Sequence, residues 1–338
     1  MIESLAKFID WSALQIGYAI LPQSLWRSAA NARDLELEQA IQFLNGPDFI
    51  PAESQPAQLD FGPGADGRFR FATPRPCEFP ENNVVHGRLY RCAEAWQERP
   101  VVILLHGGGD IPGHRFALNF FARRCSRAGL NAATLELPYH FQRRPPRYGS
   151  LSVLCQYTPL ISEGYLQMAR TYAQAIAEVR SLIGRLLAEG CPAVALAGAS
   201  LGAYLAGLTA RHDARLASIV LALSTARPGR LLSQIRVRRA PEMIQRRMAA
   251  CEELDKTPLN LTLSRPAIAR ENVLLIEAIH DLLVLGATNE LWQSWGQPEI
   301  WRLPQGHVST VLMPGLTGRI VSWLATCMSR TGVTPVSV

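Results

Sequence analysis

The hydrophobic rhythm of the chain changes near residue 100. Downstream, short unbroken apolar runs alternate with longer segments of helical period. The runs are VVILL (101–105), LNAATLEL (130–137), AVALAG (193–198), LASIVLAL (216–223), NVLLIEA (272–278) and EIWRL (299–303). A strand apolar at consecutive positions is one covered on both faces, so these runs predict a mostly parallel sheet flanked by helices. The clearest helix is 162–189. There Leu166, Ala169, Ala173, Ile176, Val179, Ile183 and Leu186 recur every three or four residues, until Gly190-Cys191-Pro192 stops the pattern. Strands alternating with helices imply right-handed crossovers in an α/β architecture.

Upstream the pattern is different. GRFRFATP (67–74) and VVHGRLYRCA (84–93) alternate in part, as half-buried antiparallel strands do. Residues 1–45 read as helical, and residues 46–66 are a Pro-, Gly- and acid-rich connection. A late interval, between Ser224 and Asn272, is too long for a structureless loop and is helix-prone on both sides of Pro241. Residues 225–270 are therefore read as an inserted helical lid. The expected organisation is a helical extension and linker over 1–66, an α/β domain over 67–330 and a tail over 331–338.

The N-terminal segment carries Glu3 and Asp10 and lacks the basic start of a secretory signal. Its apolar run, Trp11 to Leu21, is too short to span a bilayer and meets Pro22. A packed helix is expected. The alternative is an interfacial contact that inserts Ile16, Tyr18 and Trp26 into a membrane surface.

Composition narrows the function classes. The 338 residues are 48% apolar, enough for a sizeable core and incompatible with disorder. The net charge of +6 is almost wholly arginine, since Lys7 and Lys256 are the only lysines. No zinc spacing, RNP-like stretch or base-reading helix accompanies it, so no nucleic-acid partner is expected. Residues 225–270 hold ten basic against four acidic residues, with Arg236, Arg238, Arg239, Arg246 and Arg247 among apolar positions. That mixture suits either a solvated cover over a pocket or a peripheral contact with an anionic membrane. The seven cysteines are scattered, odd in number and without a CxxC, which points to reduced thiols and a cytoplasmic setting.

Two motifs carry chemistry. Gly198-Ala199-Ser200-Leu201-Gly202 lies between an apolar strand and a helix-prone segment. A serine hydroxyl is a weak nucleophile that must face a base and a substrate carbonyl, and a sharp strand–helix turn presents it so. Leu201 would open the helix with an unsatisfied amide, a natural donor to an oxyanion. His106-Gly107-Gly108-Gly109-Asp110 follows the strand VVILL directly. Its glycines allow close backbone approach to a substrate, and the amides of Gly108 and Gly109 are the expected partners of Leu201 in an oxyanion hole. A phosphate-cradling reading is weak, because no G-K-[ST] follows and Rossmann spacing is lacking.

HGGG after one strand and GASLG after a later one resemble the α/β-hydrolase superfamily, its esterases and lipases included, over roughly residues 67–327. The resemblance implies an α/β-hydrolase fold and a triad in the order Ser, acid, His, with the acid and the His after late strands. Asp281 follows NVLLIEA and His307 follows EIWRL. Ser200 is thus expected as nucleophile, His307 as base and Asp281 as its orienting acid. His106 is expected to support its loop. Tyr139 and His140, with Arg143 and Arg144, follow a strand on the ligand side of the sheet and are read either as pocket-lining or as a Pro-directed turn. No metal or organic cofactor is implied. The expected reaction is cleavage of a small-molecule acyl or carboxylic ester substrate. A serine peptidase or thioesterase, and a non-catalytic binding protein on the same fold, stay open as alternatives. Oligomeric state is not legible.

Overall fold

A computed structural model describes residues 2–19, 35–62, 66–109, 112–146, 164–234 and 242–330. The tail, Trp26, Asp110, Arg236, Arg238 and Arg239 lie outside the described residues, as do the side chains of Ile16, Tyr18 and Arg247. Nine strands form one sheet. β1 (Asp60–Phe61), β2 (Arg68–Ala72) and β3 (Val84–Tyr90) are antiparallel. β4 (Val101–Leu105), β5 (Asn131–Leu135), β6 (Val194–Ala199), β7 (Leu216–Ala222), β8 (Val273–Ala278) and β9 (Glu299–Leu303) run parallel. The spatial order is β1-β2-β3-β5-β4-β6-β7-β8-β9.

The unbroken apolar runs have the cause inferred from them: each central strand feeds two cores. Val101, Ile103 and Leu105 of β4 point into one cluster, Val102 and Leu104 into the other. The first face is covered by α2 (Leu35–Asn45), α4 (Tyr165–Ala188) and α5 (Leu201–Ala210); the second by α3 (Pro112–Arg127) and α10 (Leu316–Arg330). The chain leaves β4 for β5 on one side and returns to β6 on the other. Crossovers diverge there, which makes the carboxyl ends of β4 and β6 a topological switch point, and open α/β sheets bind ligands in the crevice at such a point.

Two features depart from the sequence pattern. Between β7 and β8 stand α6 (Pro228–Gln234) and α7 (Glu242–Ala250), as helix-prone sequence suggested. The following stretch, 251–263, mixes exposed residues, Glu252, Glu253, Lys256 and Leu263 among them, with core positions. Cys251, Leu254, Leu259 and Leu261 are fully buried in the same cluster as α5, and Tyr204 Oη on α5 donates to Leu259 O at 2.7 Å. Second, α1 (Ile2–Ala19) turns Leu5, Phe8 and Trp11 outward and Ala6 and Asp10 inward. No helix among the described residues is long and apolar enough to cross a membrane. Among the described residues Cys77, Cys92, Cys125, Cys191 and Cys327 are free thiols.

Candidate active site

The sharp turn after β6 is built by sterics. Ser200 sits at φ 53°, ψ −117°, a conformation that costs a non-glycine residue free energy and persists only where the surroundings enforce it. Its amide donates to Ala222 O on β7 at 2.9 Å. A Cβ at Gly198 would come within 2.3 Å of Gly202 C, and one at Gly202 within 2.4 Å of Leu105 O at the end of β4. Both positions need glycine because the turn is pressed between β4 and its own helix. Leu201 opens α5, so its amide has no intrahelical acceptor.

The loop after β4 is held by two buried histidines. Leu137 N–H donates to His106 Nε2 at 3.0 Å, so the ring proton sits on Nδ1, which donates to Gly107 O at 2.7 Å. His140 repeats the device: Gly109 N–H donates to its Nε2 at 3.2 Å, and its Nδ1 donates to Pro138 O at 2.8 Å. Burial pushes His140 down to about 4 and His106 well below the ordinary histidine range, so both rings stay neutral. His140 is flanked by Tyr139 at φ 65° and Phe141 at φ 51°, a bend that aims its ring back at the glycine loop.

This bonding changes the expected roles. The Gly109 amide is spent on His140 and is not aimed at the crevice; Gly108 is the half-exposed glycine of the loop. Tyr139 and His140 are each 1% exposed. Tyr139 N donates to Asn82 Oδ1 and its hydroxyl accepts from Gln167 Nε2. They brace the loop from inside and do not line the crevice. Arg143 is fully buried and forms a bidentate pair with Glu178 on α4 at 2.6 and 2.7 Å, while donating to Glu136 O and Asn82 O. His114, which the sequence left without a role, stands beside the loop. Its Nδ1 donates to Gly109 O at 3.1 Å, and a Cβ at Gly107 would lie 3.3 Å from its Nε2 and 3.6 Å from Ser200 Cβ.

Asp281 and His307 meet directly. Asp281 Oδ2 accepts from His307 Nδ1 at 2.7 Å, and its other oxygen accepts from Leu283 and Val284 amides at 2.7 and 2.9 Å. A carboxylate saturated in this way is fixed in place, and it leaves His307 Nε2 as the ring's acceptor. Both residues are 8% exposed. They follow β8 and β9, whose ends register with those of β7 and β6, so all three candidate residues stand on one edge of the sheet. Among the described residues no hydrogen bond joins Ser200 Oγ to His307. The structure also adds a residue the sequence did not single out: Asp10 of α1, fully buried against the backbone of the His307 loop. The available signal was a carboxylate in an otherwise apolar helical stretch, FIDWSAL.

A profile of the family described as "Alpha/beta hydrolase domain containing 18" matches residues 65–229, a span that holds the glycine loop and Ser200 and stops before Asp281. With the sheet order and the elbow above, this decides the class. The chain has the α/β-hydrolase fold. Solved structures agree with the α/β-hydrolase architecture. An acylaminoacyl peptidase of Pyrococcus horikoshii superposes with a TM-score of 0.52 at 12% identity, over 84% of this chain and 42% of that one. A Klebsiella pneumoniae protein provisionally described as a dienelactone hydrolase gives 0.51 at 16% identity, over 76% and 98%. An uncharacterized protein of Mycobacterium tuberculosis (strain H37Rv) is 27% identical over 252 residues, 72% of this chain. This α/β-hydrolase chain spans 56% of that relative's length, about half of the curated relatives it matches.

Proposed function

We propose that this protein is a serine hydrolase that cleaves a carboxylic ester through an acyl-enzyme on Ser200. The observation that carries the proposal is the 2.7 Å Asp281–His307 hydrogen bond on the sheet edge that also bears Ser200 at its strained turn. In this reading Ser200 Oγ attacks the ester carbonyl as His307 Nε2 takes its proton. Asp281 holds the ring tautomer and offsets the charge of the imidazolium. The tetrahedral oxyanion lies between the amides of Leu201 and Gly108. The alcohol leaves with the proton from His307, and water repeats the sequence to free the acid. The nucleophile and base come from the chain itself, so the steps need no metal or cofactor.

The substrate proposed is a small acyl or ester compound, of lipid-like type by the apolar and basic character of the 225–270 insertion. Peripheral contact with an anionic surface is part of that proposal. Of the arginines described there, Arg227 and Arg230 pair with Glu290 and Arg246 with Glu242, which leaves the weight of the idea on Arg236, Arg238, Arg239 and Arg247. The test is a fluorophosphonate probe applied to wild type and Ser200→Ala, followed by chromogenic esters, acyl thioesters and peptide anilides. Labelling is expected in wild type and absent in the variant. Labelling that survives the substitution removes Ser200 from its role.

A further inference from the structure

Asp10 is a fully buried carboxylate on α1, and no cationic side chain is paired with it among the described residues. Its partners are three backbone amides. Oδ2 accepts from His307 N at 2.8 Å and from Leu282 N at 3.1 Å; Oδ1 accepts from Val308 N at 3.0 Å. Leu282 follows the candidate acid, and His307 is the candidate base. One carboxylate therefore ties together the two loops whose side chains form the Asp281–His307 hydrogen bond.

Burying an ionised carboxylate is costly unless charge-assisted hydrogen bonds replace its water, and here three amides do so. That cost is not needed to attach a helix, since apolar contacts would serve. Yet α1 sends Leu5, Phe8 and Trp11 outward, 58%, 62% and 53% exposed, and puts Asp10 at the contact. The opposite surface is shaped to receive it. A Cβ on Gly306 would lie 2.8 Å from Asp10 Oδ2 and 2.9 Å from Ala6 O, while Gly306 itself has φ −91°, which any residue adopts. Glycine is required there for the approach of α1 and not for backbone freedom.

We infer that Asp10 is a positioning residue for the hydrolytic machinery: it fixes the backbone of His307 relative to Asp281 and so sets the aim of His307 Nε2. The inference rests on the assignment of Ser200, Asp281 and His307 made above. It makes the N-terminal helix part of the working site.

The test uses the full chain with Asp10→Asn and Gly306→Ala. The first removes the charge and one acceptor; the second keeps the charge and displaces it. Phe8→Ser, on the outward face, is the control. Steady-state kinetics on a chromogenic ester are expected to show kcat lowered by about 10- to 100-fold in both variants, the range for loss of a residue that orients a catalytic ligand. KM is expected within about twofold, and Phe8→Ser to match wild type. The low-field proton resonance of the His307–Asp281 hydrogen bond is expected to shift or vanish by exchange in both variants, a change that loss of stability alone does not produce in folded protein. If Asp10→Asn does not fold, Gly306→Ala decides by the same criteria. A folded variant with kcat within twofold of wild type, or with the His307 resonance unmoved, overturns the inference. Absence of wild-type labelling at Ser200 would instead defeat the underlying assignment, so the two failures are distinguishable.

Discussion

His140 offers a test in which structure sets both sign and size. Its ring is buried to 1% exposure, accepts from Gly109 N–H and is held down to about 4 from an ordinary 6.5, chiefly by desolvation. Below pH 6.5 the unfolded chain takes up a proton on this residue while the folded protein does not. The stabilisation from a neutral His140 is therefore complete above 6.5 and is lost as pH falls towards 4. A gap of about two and a half pH units, at about 1.4 kcal/mol each, amounts to about 3 kcal/mol in full and about 2 kcal/mol by pH 5. The perturbation is His140→Gln, which does not titrate and whose amide oxygen can accept from Gly109. Urea titrations of both proteins at about pH 7.5 and pH 5 give the comparison. The variant is expected to lose about 2 kcal/mol less than wild type between the two conditions, whatever its stability at the higher pH. Equal losses would refute the claim that the glycine loop is propped by a histidine kept neutral by burial.

Glu178→Gln should leave the Arg143 guanidinium buried without its counter-charge. A loss of about 3–5 kcal/mol is expected in urea unfolding, and a loss below about 1 kcal/mol would mean the pair is not the anchor of α4 to the β5 loop. If the 225–270 insertion meets anionic lipid, co-sedimentation with anionic vesicles should exceed that with neutral ones. It should fall when Arg236, Arg238 and Arg239 are replaced by serine; equal binding to both vesicles retires the contact.

The sheet was readable because its central strands are buried twice, which forces consecutive apolar residues and erases the polar alternation a one-sided strand would show. The turn at Ser200 was readable for a similar reason: Gly198 and Gly202 record close approaches that no side chain tolerates. Tyr139, His140 and Arg143 were not readable as internal braces. Residue type after a strand is the same whether the side chain faces a ligand or folds back under it, and the positive φ values that turn this loop inward belong to non-glycine residues. The core positions Cys251, Leu254, Leu259 and Leu261 were masked by their polar neighbours and short helical turns. Asp10 was hidden most deeply, since its partners are backbone amides near positions 282 and 307, and an amide leaves no mark on residue identity.

The bond from Asp10 to the far end of the chain has a practical consequence for anyone trimming this protein. A cut at residue 66, where composition suggests a boundary, would keep β2 to β9 with Ser200, Asp281 and His307, but would discard β1, the α2 cover of the sheet and the clasp between the last two loops. That fragment loses core and clasp together, whereas removal of α1 alone spares Ala40, Leu44, Phe49 and Ala57 and isolates a slackened imidazole.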